Sequence, residues 1–127
     1  NLTVLQEINL SKNSFEKSQL KYISELVRLQ KLYLVRINLN NYDLEKYLTF
    51  QNFGLLRELD LSNNNLTIIK TGLFSKSSLL IYVNLSFNQI MIIDPGCFYM
   101  TRFLLILDLS FNRLKFFNTN IVNNVYS

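Results

Sequence analysis

The chain has 127 residues, 49% of them apolar, which is enough for one domain with a core. Thirteen basic and nine acidic residues leave a net charge of +4, scattered along the chain, so charge alone points to neither nucleic acid nor a membrane surface. One cysteine and no histidine exclude an internal disulfide framework and the usual zinc sites, and no apolar run approaches the ~20 residues of a membrane-spanning helix. The opening Asn1-Leu2-Thr3 lacks the basic and apolar stretches of a secretory leader.

Self-similarity dominates the chain. LQEINLSKNSF (5–15), LQKLYLVRINL (29–39), LRELDLSNNNL (56–66), LIYVNLSFNQI (80–90) and LLILDLSFNRL (104–114) align without gaps, with starts 24, 27, 24 and 24 residues apart. Within each unit the apolar residues alternate, as Leu59 and Leu61 flank Asp60, and period 2 marks a short strand. The first strand is expected near Glu7–Leu10. A short helix follows within Glu16–Arg28, where Leu20, Ile23 and Leu26/Val27 recur at helical spacing. A strand is expected near Lys31–Leu34, then a second helical stretch over Asp43–Phe53 with Asp43 as its N-cap. Further strands are expected near Glu58–Leu61, Tyr82–Leu85 and Ile106–Leu109. No single unit can bury its leucines alone, so the units must stack, with their strands parallel.

Four units carry Asn at the ninth place: Asn13, Asn64, Asn88 and Asn112. The chain leaves the strand there, and a buried amide can satisfy backbone groups of adjacent turns, because it both donates and accepts. Ile37 stands at that place in the second unit and cannot bond, which predicts a break or shift of the ladder, with Asn38 available to compensate. Behind the strands, Ile69, Gly72 and Phe74 correspond to Ile93, Gly96 and Phe98, and loosely to Phe117, Asn120 and Val122. The two glycines sit where positive φ is cheap, and Phe74 and Phe98 should stack as an aromatic spine.

The stretches LDLSNNNLTIIKTGLF (59–74), VNLSFNQIMIIDPGCF (83–98) and LDLSFNRLKFF (107–117) resemble the 24-residue class of leucine-rich repeats. That class includes Toll-like receptor ectodomains, insect immune repeat proteins and matrix proteoglycans. The resemblance covers essentially the whole chain. It implies an α/β leucine-rich repeat solenoid, with five short parallel strands on the concave face of an arc and an irregular or short-helical convex side. Counted by unit, the array comprises a tail of a preceding repeat (1–4) and repeats 5–28, 29–55, 56–79, 80–103 and 104–127. Neither end carries a capping sequence, so an internal part of a longer array is expected.

In such repeats positions 2, 3, 5, 7 and 8 of each unit display side chains on the concave face. Two groups stand out there. Ile81, Tyr82, Phe87, Leu105, Ile106 and Phe111, with Asp108 beside them, form a candidate apolar contact patch toward the C-terminal end. The blander reading is that these side chains cover the edges of neighbouring turns. Tyr33, Arg36, Arg57 and Asp60 form a candidate polar site, against the alternative of a solvated face.

Four Asn-x-Ser/Thr sequons begin at Asn1, Asn9, Asn65 and Asn84, although the repeat pattern itself generates Asn-Leu-Ser. Asn9 and Asn84 fall on the concave face, where sugar would block a ligand, whereas Asn1 and Asn65 are better placed to carry it. Cys97 reads as a small, partly buried thiol or as half of a disulfide to another chain or segment.

No phosphate loop, catalytic constellation, cofactor motif or metal-ligand spacing is present. The function implied is a non-catalytic binding module of an extracellular or cell-surface protein, acting in innate immunity or cell adhesion. Its partner would be a protein ligand or co-receptor. The alternatives are a structural or self-assembling scaffold, in matrix or as a homo-oligomer, and a cytosolic protein-interaction module. Nucleic acid is disfavoured, for want of a basic stripe.

Overall fold

A computed structural model of the chain describes residues 2–121. The sequon at Asn1 and the correspondence of Val122 lie outside the described residues. Among the described residues, seven strands run in chain order as β1 (Glu7–Asn9), β2 (Lys31–Tyr33), β3 (Glu58–Asp60), β4 (Ile68–Ile69), β5 (Tyr82–Asn84), β6 (Ile92–Ile93) and β7 (Ile106–Asp108). β1, β2, β3, β5 and β7 form one parallel sheet in that order, and β4 pairs with β6 in a second, two-stranded sheet. This is the leucine-rich repeat solenoid, with the five-stranded sheet lining its concave side.

The register follows the alignment of the units. Ile8, Leu32, Leu59, Val83 and Leu107 are successive partners across the sheet. Each regular strand is three residues long, one shorter than the alternation predicts. The leucine after it still donates to the next turn: Leu34 N–H to Asp60 O at 2.9 Å and Leu61 N–H to Asn84 O at 2.9 Å. The backbone bends there because position 8 of every unit is left-handed. Lys12, Arg36, Asn63, Phe87 and Phe111 have φ between 53° and 61°. That region costs a non-glycine residue roughly 1–2 kcal/mol, so the surrounding turn must hold it.

The ninth-place amides do much of the holding. Asn64 Nδ2 donates to Leu34 O (2.8 Å) in the turn before and to Leu61 O (2.9 Å) in its own. Its Oδ1 accepts from the N–H groups of Ile37 (3.2 Å) and Leu39 (2.9 Å). Asn88 and Asn112 repeat the pattern, donating to Leu61 O and Leu85 O in the preceding turns at 3.0 and 2.9 Å. Asn13 differs: its bonds stay within its own turn, to Leu10 O (3.1 Å) and Ser11 O (3.3 Å). With Ile37 buried at the second unit's ninth place, the rung between the first two turns lacks an amide. Asn38 does not fill it; its Oδ1 faces outward and accepts from Asn65 Nδ2.

The two helical stretches are tighter than expected. Lys17–Glu25 is a 3-10 helix rather than an α-helix. Its apolar residues Leu20, Ile23 and Leu26 recur every third position, which one face of a three-residue turn accommodates. Val27 faces solvent. In the second stretch, the α-helix α1 covers only Asn41–Lys46, and a 3-10 turn follows at Phe50–Asn52. Asn40, not Asp43, is the N-cap of α1; Asp43 lies at the third helical position and returns a bond to the Asn40 N–H. This reciprocal pair satisfies two helix-start donors at once.

Behind the sheet, Phe74 and Phe98 stack with centroids 5.3 Å apart, and Phe50 meets Phe74 edge-on at 5.7 Å. The second unit's three extra residues thus bring Phe50 into the aromatic spine. Gly72 and Gly96 have φ of +90° and +76°. The looser correspondence of Phe117 fails: that ring is exposed, and Ile121 is the buried residue of the last described turn. Among the described residues no third strand joins β4 and β6, so Phe117 has no place in this second sheet equivalent to those of Ile69 and Ile93.

Cys97 is buried beside the spine and unpaired. Burial, reinforced by the Asp94 carboxylate, pushes its thiol up to about 12. At pH 8 only about one thiol in ten thousand would then be ionised, and the thiolate is the reactive form. Iodoacetamide at pH 8 should label the native chain at least about a hundredfold more slowly than the urea-unfolded chain. Equal rates would show that Cys97 is open to solvent.

Candidate functional site

Position 5 of four units has a task that the sequence reading missed. Asn9, Asp60, Asn84 and Asp108 each accept the N–H of the serine two residues on, at 2.9–3.0 Å. This closes a small side-chain turn where the strand ends. The recurring Asn/Asp-Leu-Ser was the available signal. Asp108 also receives the Ser110 hydroxyl, and these bonds, the hydroxyl's first, hold its carboxyl below the ordinary range. In the second unit Tyr33 cannot close the turn, and Ser11 Oγ of the preceding turn accepts the Val35 N–H instead, at 2.9 Å. Ser62 and Ser86, at position 7, are only 5% exposed rather than displayed.

The expected polar site does not assemble as one group. Tyr33 and Asp60 are cross-strand partners. Tyr33 donates to Glu58 Oε2 at 2.6 Å, and Lys31 approaches the other oxygen of that carboxylate at 3.8 Å. Arg36 instead stands in the left-handed row beside Lys12 and Asn63, in a separate groove. Arg57 lies at the other end, against an apolar hollow of about 380 Å³ with Leu79, Ile81, Arg102, Phe103 and Leu105.

The apolar group does come together. Phe87 and Phe111 occupy consecutive left-handed places and stack almost parallel, 4.2 Å apart and 9° from coplanar. They remain 49% and 71% exposed. Ile106, 55% exposed, is the cross-strand partner of half-buried Tyr82. Neither Tyr82 nor Ile106 is buried, so the patch is not dissolved into the core. Ile81 is also half-buried, beside Arg57 in the hollow.

Asn9 and Asn65 are exposed and Asn84 is half-buried. Asn84 Oδ1 is engaged by both the N–H and the hydroxyl of Ser86. Among the described residues no group of His, Cys, Asp or Glu is placed to hold a metal ion, and no helix is long and apolar enough to cross a membrane.

Residues 54–114 match the family model of the leucine rich repeat. The leucine-rich repeat domain of APL1B superposes with a TM-score of 0.81 at 27% identity, over 92% of this chain and 35% of that one. TLR13, solved as a complex with ssRNA13, superposes with a TM-score of 0.69 at 26% identity, over 98% of this chain and 20% of that one. The chain therefore spans about a third and about a fifth of the lengths of these two structures. No curated protein matches it as a relative.

Tyr33 offers a direct test of the concave geometry. Burial first, then the bond to Glu58 and that residue's charge, raise its phenol above the ordinary value of 10.0. The alkaline absorbance titration of the native chain minus that of Tyr33→Phe should show this phenol ionising late. Glu58→Gln should bring it back toward its ordinary range, because the charged acceptor is lost. An unshifted Tyr33 in the parent chain would mean that the Tyr33–Glu58 contact does not form.

Proposed function

We propose, from the premise that this chain is a leucine-rich repeat protein resembling Toll-like receptor ectodomains and insect immune leucine-rich repeat proteins, that it is a non-catalytic recognition module of an extracellular or cell-surface protein. It binds a protein, or a ligand borne by one, in innate immunity or cell adhesion. The contact surface is the C-terminal half of the concave side, centred on Phe87 and Phe111.

One observation carries this reading. Phe87 lies in the fourth turn, with a turn on either side, and yet half of its surface faces solvent. It does so in a backbone conformation that disfavours its side chain. Asn63 shows that a residue better suited to the conformation fits the same place one turn earlier. A large ring held there, stacked on a second exposed ring, suits an anchor that a partner covers. Tyr82, Ile106 and the hollow beside Arg57 extend the surface. Leu105 and Phe103 line that same hollow.

Two measurements test the reading. A photoreactive phenylalanine analogue at position 87, in protein displayed in its native extracellular setting, should give a discrete cross-linked adduct. The same analogue at Phe116, exposed but not a member of the stacked pair, should not. Matching patterns from the two positions, or no adduct at 87, would refute the contact surface. Intact mass before and after N-glycosidase, on protein from its native source, tests the location. Sugar mapped to Asn1 or Asn65 supports an extracellular life, and bare asparagine at all four sequons turns the reading toward the cytosolic module.

A further inference from the structure

The left-handed row that ends in two phenylalanines begins with two cations. Lys12 and Arg36 hold the first two places and Asn63 the third. In register, these backbones stand about 4.8 Å apart per turn. Lys17 joins them from the start of the first 3-10 helix, and Asn38 and Asn65 close the far rim. Together these six line an open groove of about 730 Å³.

The composition of this groove is selective. No carboxylate lines it. Lys31 and Lys70 each pair with a glutamate elsewhere, whereas Lys12, Lys17 and Arg36 form no ion pair among the described residues. Lys17 Nζ donates to Phe15 O at 3.2 Å and rides over the Phe15 ring, which leaves its charge uncompensated. Asn65 Nδ2 donates to Asn38 Oδ1, which fixes both amides at the rim. Three uncompensated cations gathered in one groove attract an anionic ligand. Amides that donate and accept match hydroxyl groups.

The geometry points to a binding site for a sulfated glycan in this groove, independent of the phenylalanine surface. Sulfate groups meet Lys12, Lys17 and Arg36, and ring hydroxyls meet the amides of Asn38 and Asn63. Single-stranded nucleic acid fits less well, because no aromatic side chain lines the groove to stack a base. Asn65 belongs to a sequon, so an N-glycan there stands at the same rim and excludes the sulfated ligand.

The test uses the whole chain made without N-glycans and a heparin-derived hexasaccharide, titrated at about 0.15 M salt, where long-range attraction is largely screened. Lys12→Gln/Lys17→Gln/Arg36→Gln should weaken binding at least about tenfold. A control with the same loss of charge, Lys76→Gln/Arg113→Gln/Lys115→Gln, should weaken it less than about threefold. The single change Lys12→Gln, at an exposed side chain, should act in the same direction as the triple and guards against misfolding of the triple variant. Equal weakening by groove and control variants would overturn the site. So would absence of binding by the parent chain, or binding of a single-stranded RNA of equal charge as tight as that of the hexasaccharide.

Discussion

From the second turn onward, each turn is tied to the next by the side-chain amide at the ninth place of the repeat. Where the chain leaves the concave sheet it must turn through a left-handed residue, and the backbone groups of that turn face the interior. Buried and unpaired, each costs about 1–3 kcal/mol. Asn64, Asn88 and Asn112 satisfy carbonyls of two turns at once, and Asn64 also takes two N–H groups of the turn before. Each such side chain is both a turn stabiliser and a rivet between turns. Leucine packing supplies the bulk of the burial, but it is not directional. The amides and the strand ladder together fix one turn in register with the next.

That fixed register gives position 8 its freedom. Because the turn itself enforces the left-handed conformation, lysine, arginine, asparagine and phenylalanine all occupy the place. One geometric row therefore carries cations at one end and a stacked aromatic pair at the other. The chemistry of the surface changes along the solenoid while the backbone beneath repeats. The proposed protein contact at the aromatic end and the proposed sulfated-ligand site at the cationic end are separable, since the two ends share no side chain.

The repeat period, the strand positions, the parallel register and the aromatic spine were all legible in the sequence, because every unit solves the same burial problem with the same residue types. The finer local geometry was less so. Asp43 looked like a helix cap, but the earlier Asn40 and Asp43 form a reciprocal pair, which only the three-residue spacing would have revealed. Asp60 and Asp108 looked like members of a recognition surface, yet each closes a turn with its neighbouring serine. Arg36 and Arg57 seemed one site because their units are adjacent. They diverge because one lies at position 8, on the turn, and the other at position 2, before the strand. The meeting of Lys12, Lys17 and Arg36 was hidden for a similar reason. It needs the 24-residue stacking and the path of the 3-10 helix together, and charges spread along the sequence converge only after both are known.

The most direct test of the amide's role is the unfolding free energy in urea of Asn88→Ala compared with Asn13→Ala. Asn88 is buried and bonds to two turns, whereas the bonds of Asn13 stay within its own turn and face solvent. The account predicts a loss of about 2–4 kcal/mol for Asn88→Ala, from several orphaned backbone groups, and less than about 1 kcal/mol for Asn13→Ala. Comparable losses from the two changes would contradict it, and would mean that the ladder of strands and leucines holds the turns together without the amides.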